Sequence, residues 1–135
     1  AATQACTTAD GFLTCSDIVI RDAEGYISIV DRKKDLIISG GTNVYPREIE
    51  EVLAKHSDIA EVAVIGVKDE TWGERAVAII VSRSGTEIAA EEIDTFSRKS
   101  LAGYKIPGEF HFLKVLPRNA SGKVLKTELR VQFSK

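Results

Sequence analysis

Two stretches of the chain lose the usual alternation of polar and apolar residues. Val62 to Val67 and Ala76 to Val81 are nearly continuous apolar runs, the pattern of central strands buried on both faces. A polar connection, Asp69-Glu70-Thr71-Trp72-Gly73-Glu74, joins them. Elsewhere the period is helical. After Pro46, the residues Ile49, Val52, Leu53 and His56 fall at i, i+3, i+4 and i+7, which is one face of a helix. Pro46 suits the first helical position, where a missing N–H costs nothing. Glu48, Glu50 and Glu51 crowd the start of this helix and Lys55 and His56 its end, an order that complements the helix dipole. Ile93, Phe96 and Leu101 predict a second helix from about Ala90 to Leu101, and Leu125, Leu129 and Phe133 predict a last one.

Shorter β-prone runs fill the remainder. Ile18 to Arg21 and Tyr26 to Val30 flank the turn residues Asp22-Ala23-Glu24-Gly25, so a hairpin is expected there. Leu36-Ile37-Ile38 is a strand ended by Gly40-Gly41, and Gly85-Thr86 marks a turn. Pro107 opens an extended segment in which Phe110 and Phe112 alternate with polar neighbours. From residue 35 the order is strand, helix, strand, strand, helix, strand, helix. That is a small α+β domain with a helix-covered sheet. Residues 1–10 lack periodicity and read as a flexible or borrowed segment. No internal repeat or low-complexity tract is present.

Composition narrows the classes without choosing one. The 135 residues fit one domain with a real core, and 44% apolar with 28% charged residues is ordinary for a globular protein. A formal charge of −2 argues against non-specific nucleic-acid binding. No apolar run approaches the roughly 20 residues of a membrane span, and no signal peptide opens the chain, so a cytoplasmic location is expected. Cys6 and Cys15 read as reduced thiols. His56 and His111 are far apart in sequence and no Cys/His cluster exists, so no metal site is expected. The absence of methionine and the start at Ala1-Ala2-Thr3-Gln4 suggest a piece of a longer polypeptide.

Candidate chemistry is local and, taken singly, ambiguous. Lys123 lies in Pro117-Arg118-Asn119-Ala120-Ser121-Gly122-Lys123, between a strand and a helix. It could set a compact positive charge beside an anion, or be a surface lysine. A phosphate-cradling P-loop is excluded, because Pro117 and Val124 stand where that pattern needs Gly and Ser or Thr. Arg32, Lys33 and Lys34 form a basic cluster or a solvated turn. Gly40-Gly41 permits φ > 0 and close approach of a ligand, or simply a tight turn. Trp72, in a polar loop, could cover a ligand or cap a core edge.

In combination these segments are far more specific. Asp31–Leu53 (DRKKDLIISGGTNVYPREIEEVL), Asp69–Glu74 (DETWGE), Leu101–Pro107 (LAGYKIP) and Leu116–Lys126 (LPRNASGKVLK) occur in order. Together they closely resemble the C-terminal part of AMP-forming acyl-CoA synthetases, in the adenylate-forming superfamily that includes luciferases and peptide-synthetase adenylation domains. The resemblance covers about residues 11–133. It implies a small mobile C-terminal domain that rotates on a large N-terminal one. Such enzymes join a carboxylic acid to ATP, releasing pyrophosphate, and then pass the acyl group to coenzyme A.

The resemblance assigns roles to residues. Lys123 matches the catalytic lysine of adenylation. Asp17 and Arg32 match residues that hold the ribose of ATP or AMP. Lys34 matches the hinge. Gly40, Gly41 and Trp72 match the surface facing coenzyme A. It also divides the chain into residues 1–33, the tail of the large domain with its β-hairpin, the hinge at 34, and a lid over 35–135. Mg2+ accompanying ATP is expected to be held mainly outside these residues. The hairpin, separated from the missing N-terminal domain, is expected to be poorly ordered or to self-associate through its open edges. The 135 residues alone are expected to be inactive as a ligase.

Three positions depart from the family pattern. Cys15-Ser16 replaces Thr-Gly before Asp17, Thr42 replaces Glu after the glycine pair, and Gly108 stands where a basic residue is frequent. A carrier-protein thiol as acceptor and a non-catalytic binding module are the alternatives. The Gly-Gly-x-Asn-x-Tyr-Pro run sides with coenzyme A.

Overall fold

The computed structural model describes residues 6–134. Its strands are β1 (Asp17–Arg21), β2 (Ile27–Arg32), β3 (Ile37–Ser39), β4 (Thr42–Val44), β5 (Ile59–Asp69), β6 (Gly73–Ser82) and β7 (Glu109–Phe112). Its α-helices are α1 (Pro46–Leu53), α2 (Ala90–Arg98) and α3 (Lys126–Phe133). Single 3-10 turns occupy Lys33–Asp35 and Gly103–Lys105. The chain divides into two compact units between Lys34 and Asp35.

In the first unit, β1 and β2 form an antiparallel two-stranded sheet whose outer edges carry no further strand among the described residues. The Asp22 side chain and carbonyl close its turn, accepting the Tyr26 N–H at 2.8 Å and the Gly25 N–H at 3.1 Å. Val19, Ile20 and Ile27 are exposed on this hairpin. Of the polar opening segment, residues 1–5 lie outside the described residues. The part that follows is a closed loop rather than a featureless one. Thr7 bridges to Leu13, and the Thr14 N–H bonds the Cys6 carbonyl at 2.7 Å.

The second unit is built around the β5–β6 ribbon. β5 runs antiparallel to β6 along its whole length, from Ile59↔Ser82 to Asp69↔Gly73. The other edge of β6 takes β3 at Gly73 and, further along, β7 in parallel from Val77↔Glu109 to Ile80↔Phe112. The link from β6 through α2 to β7 is the crossover that a parallel pair requires.

Continuous hydrophobicity in β5 and β6 has a direct cause, since both faces are covered. Val64, Ala76, Ala78 and Ile80 face one core with Ile49 and Leu53 of α1 and Ile93 of α2. Ala63, Ile65, Val67, Val77 and Ile79 face a second core with Leu116 and Leu129 of α3. Each large aliphatic side chain removed from water in this way contributes about 1.5–3 kcal/mol.

Two elements differ from expectation. β4 was not foreseen. Its three residues include a single apolar one, Val44, and it forms because the Gly40-Gly41 turn folds it back on β3. Helix α2 ends at Arg98, short of Leu101, yet the Leu101 N–H still bonds the Ser97 carbonyl at 2.9 Å, so Leu101 stays buried. Among the described residues no helix is long and apolar enough to cross a membrane.

Candidate functional site

Asp17 and Arg32 face each other across β1 and β2 as register partners, with Arg32 Nε 3.7 Å from an Asp17 carboxylate oxygen. Both side chains reach solvent. A carboxylate that accepts and a guanidinium that donates, side by side, match the two faces of a vicinal diol. Lys34, also exposed, lies in the 3-10 turn at the division between units. The next residue, Asp35, is fixed to the second unit by Arg130 of α3 at 2.8 Å.

Gly40 and Gly41 are the two central residues of the β3–β4 hairpin, with φ of 55° and 79°. Two successive positive φ values define a type I′ turn, which favours glycine. Gly40 has a second reason to lack a side chain. A Cβ there would lie 2.9 Å from Trp72 Cε3. The Gly40 N–H also donates to the Trp72 carbonyl at 2.8 Å. The Trp72 loop is preset by Asp69, whose Oδ1 accepts the N–H groups of Thr71 and Trp72, each at 2.9 Å. The structure thus brings Gly40 and Trp72 into contact, with the indole 59% exposed.

Gly40 and Trp72 line a groove of about 480 Å³ together with Arg75, Tyr104 and Gly108, whereas Gly41 is exposed beside it. Arg75 is held by Asp69 at 3.4 Å and Glu109 at 2.7 Å. Its guanidinium, helped by His111, keeps the Glu109 carboxyl below the usual carboxylate range. A Cβ at Gly108 would lie 3.7 Å from Arg75 Nη1, so the cation here comes from β6 rather than from position 108. Beside the groove, Lys105 is clamped by both oxygens of Glu48, at 2.7 and 2.8 Å. That bond holds the Lys105 ammonium above its ordinary pKa.

Lys123 is elsewhere on the same unit, exposed on a closed loop before α3. Arg118 bridges to Val124 across the base of the loop, and the Leu125 N–H bonds the Pro117 carbonyl at 2.8 Å. Arg118 also pairs with Glu61 near the start of β5. The Trp72 loop is at the far end of β5, and from Glu61 to Asp69 the strand spans about 27 Å at its normal rise. The loop that carries Lys123 and the Gly40–Trp72 groove therefore lie toward opposite ends of the β5–β6 ribbon.

Sequence reasoning missed Arg75, Tyr104, Glu61, Arg118 and Asn119. Tyr104, Arg118 and Asn119 sit inside quoted motifs, and the turn chemistry of Asn-Ala-Ser-Gly could have marked Asn119. Arg75 and Glu61 carry no local signal, because strand pairing and tertiary packing decide what they touch.

A family model described as AMP-binding enzyme C-terminal domain matches residues 48–123. A long-chain-fatty-acid–CoA ligase of Bacillus subtilis is 47% identical over 89% of this chain, which spans 21% of that relative. A 2-succinylbenzoate–CoA ligase of Bacillus cereus is 49% identical over 92% of this chain, which spans 25% of it. Among solved structures, o-succinylbenzoate CoA synthetase from Bacillus subtilis, in complex with its acyl-adenylate intermediate, superposes with a TM-score of 0.87. It shares 41% identity over 94% of this chain and 26% of its own.

Proposed function

The chain belongs to the family of AMP-binding enzyme C-terminal domains, and from that premise we propose that it serves as the lid of an ATP-dependent, AMP-forming acid–CoA ligase. In this reading Lys123 supplies the cation for adenylation. A carboxylate oxygen attacks the α-phosphorus of ATP, the bond to the β-phosphate breaks, and pyrophosphate leaves. The Lys123 ammonium bridges the two anions and stabilises charge in the transition state. In the second step the sulfur of coenzyme A attacks the acyl carbonyl, the bond to AMP breaks, and the thiol proton is lost. The Gly40–Trp72 groove faces coenzyme A in that step.

Asp17 and Arg32 hold the ribose hydroxyls, and the chain turns at Lys34 between steps. The large N-terminal domain is the principal partner, and the exposed apolar residues of the β1–β2 hairpin suit docking onto it or, without it, self-association. The Mg2+ that accompanies ATP is held mainly outside these residues. The acid is selected outside this chain. Relatives acting on a fatty acid and on 2-succinylbenzoate resemble it about equally.

The observation that carries this reading is the separation of Lys123 from the Gly40–Trp72 groove. The anchor of the Lys123 loop at Glu61 and the start of the Trp72 loop at Asp69 are about 27 Å apart along β5, too far for the two ends to attend one acyl carbon together. Their use in two successive steps with a rotation between them accounts for both. The test is made in the full-length ligase. Lys123→Ala should slow acyl-adenylate formation by at least about 10²-fold, in line with removal of a charge-stabilising donor. It should spare thioester formation from supplied acyl-adenylate. Trp72→Ala should do the reverse. Equal damage to both steps by Lys123→Ala would refute the assignment.

A further inference from the structure

The Lys123 side chain is solvent-exposed, and among the described residues no hydrogen bond or ion pair holds its ammonium. The backbone beneath it is held unusually well. Asn119 grips Lys123 on both sides of the residue. Its Oδ1 accepts the Lys123 N–H at 2.9 Å, and its own N–H donates to the Lys123 carbonyl at 2.9 Å. The same Oδ1 accepts the Ser121 N–H at 3.0 Å, and the Asn119 carbonyl accepts the Gly122 N–H at 2.9 Å. Gly122, at φ 80°, supplies the left-handed residue that turns Lys123 back toward Asn119.

A second brace comes from outside the loop. Arg118 Nη1 donates to the Gly122 carbonyl at 2.6 Å, while Nη2 pairs with Glu61 of β5. The Gly122–Lys123 peptide is thereby fixed from both sides, one side by Asn119 and the other by Arg118.

We propose that Asn119, braced by Arg118, is a positioning residue for adenylation, fixing the backbone of Lys123 so that its ammonium meets the carboxylate and α-phosphate at one place. The inference rests on the assignment of Lys123 as the adenylation cation. A lysine stem has several rotatable bonds, and a mobile backbone would add to the freedom lost each time the ammonium engages. Holding the Cα removes that part of the cost before the substrate arrives. The hydrogen bonds involved lie on an exposed loop. Cutting away the Asn119 side chain releases only the Ser121 and Lys123 N–H groups to water and leaves its backbone bonds in place, so the fold survives while the alignment loosens.

The experiment uses the full-length ligase with both half-reactions measured separately. Asn119→Ala should lower kcat for acyl-adenylate formation by about 10²-fold, the scale of a 1 Å misplacement, and leave KM for ATP and thioester formation near wild type. Asn119→Asp keeps an oxygen that accepts both N–H groups and should restore most of the lost rate. If Asn119→Ala does not fold, Arg118→Ala carries the test and should show a smaller loss confined to the same half-reaction. Wild-type adenylation in Asn119→Ala, or in Arg118→Ala where that variant stands in, overturns the proposal when Lys123→Ala is inactive in that step. So does an equal loss in both half-reactions. Full adenylation by Lys123→Ala would instead remove the underlying assignment.

Discussion

At the scale of single residues, the two glycines of the β3–β4 turn make an internal control. Both have positive φ, but a Cβ on Gly41 meets nothing within 4 Å whereas one on Gly40 runs into the Trp72 ring. Gly41→Ala should therefore cost only backbone strain, about 1–2 kcal/mol. Gly40→Ala should cost that strain plus displacement of the indole. Denaturant unfolding of both variants in wild-type and Trp72→Ala backgrounds separates the two terms. The extra cost of Gly40→Ala should vanish when the ring is gone. An extra cost that persists without the ring would show that the collision is not its source.

At the scale of elements, Glu50 ties three together. From α1 its Oε1 accepts the Val64 N–H on the outer edge of β5 at 2.8 Å and pairs with Lys126, the first residue of α3, at 2.7 Å. Glu50→Ala leaves a partly buried N–H and an ammonium without that acceptor, and should destabilise the chain by about 1–3 kcal/mol. Glu50→Gln keeps an acceptor and should lose less. Urea unfolding of the two variants makes the comparison, and equal losses would mean the hydrogen bond to β5 contributes nothing. Such links also mark the limit of what sequence discloses. The β5 and β6 runs, the α1 stripe through Ile49 and Leu53, and the hairpin around Asp22 are legible because their causes are periodic and local. β4 was hidden because it owes its existence to a turn rather than to its own apolar content. Lys123 and Trp72 were visible in their motifs, but Arg75 beside Gly108 and Glu61 beneath Arg118 depend on strand pairing that no local pattern encodes.

At the scale of the whole molecule, two ion pairs flank the groove and respond to pH in opposite senses. Glu109 has its folded pKa depressed by Arg75, so its contribution to stability is present above the ordinary carboxylate range and is lost as pH falls through the lowered value. Lys105 has its folded pKa raised by Glu48, so its contribution is present below the ordinary ammonium value and is lost as pH rises through the raised one. Thermal melts across pH should show Glu109→Gln flattening the acid limb and Lys105→Met the alkaline limb. An acid limb unchanged in Glu109→Gln would exclude that pair as its source. The Lys123 loop has a different kind of consequence. Every bond that shapes it closes within residues 117–125 or onto β5, so its geometry is complete without reference to any acid. If acid choice lies in the larger domain, the two traits can be inherited separately. A lineage that takes up a new carboxylic acid then has nothing to relearn about where its cation belongs.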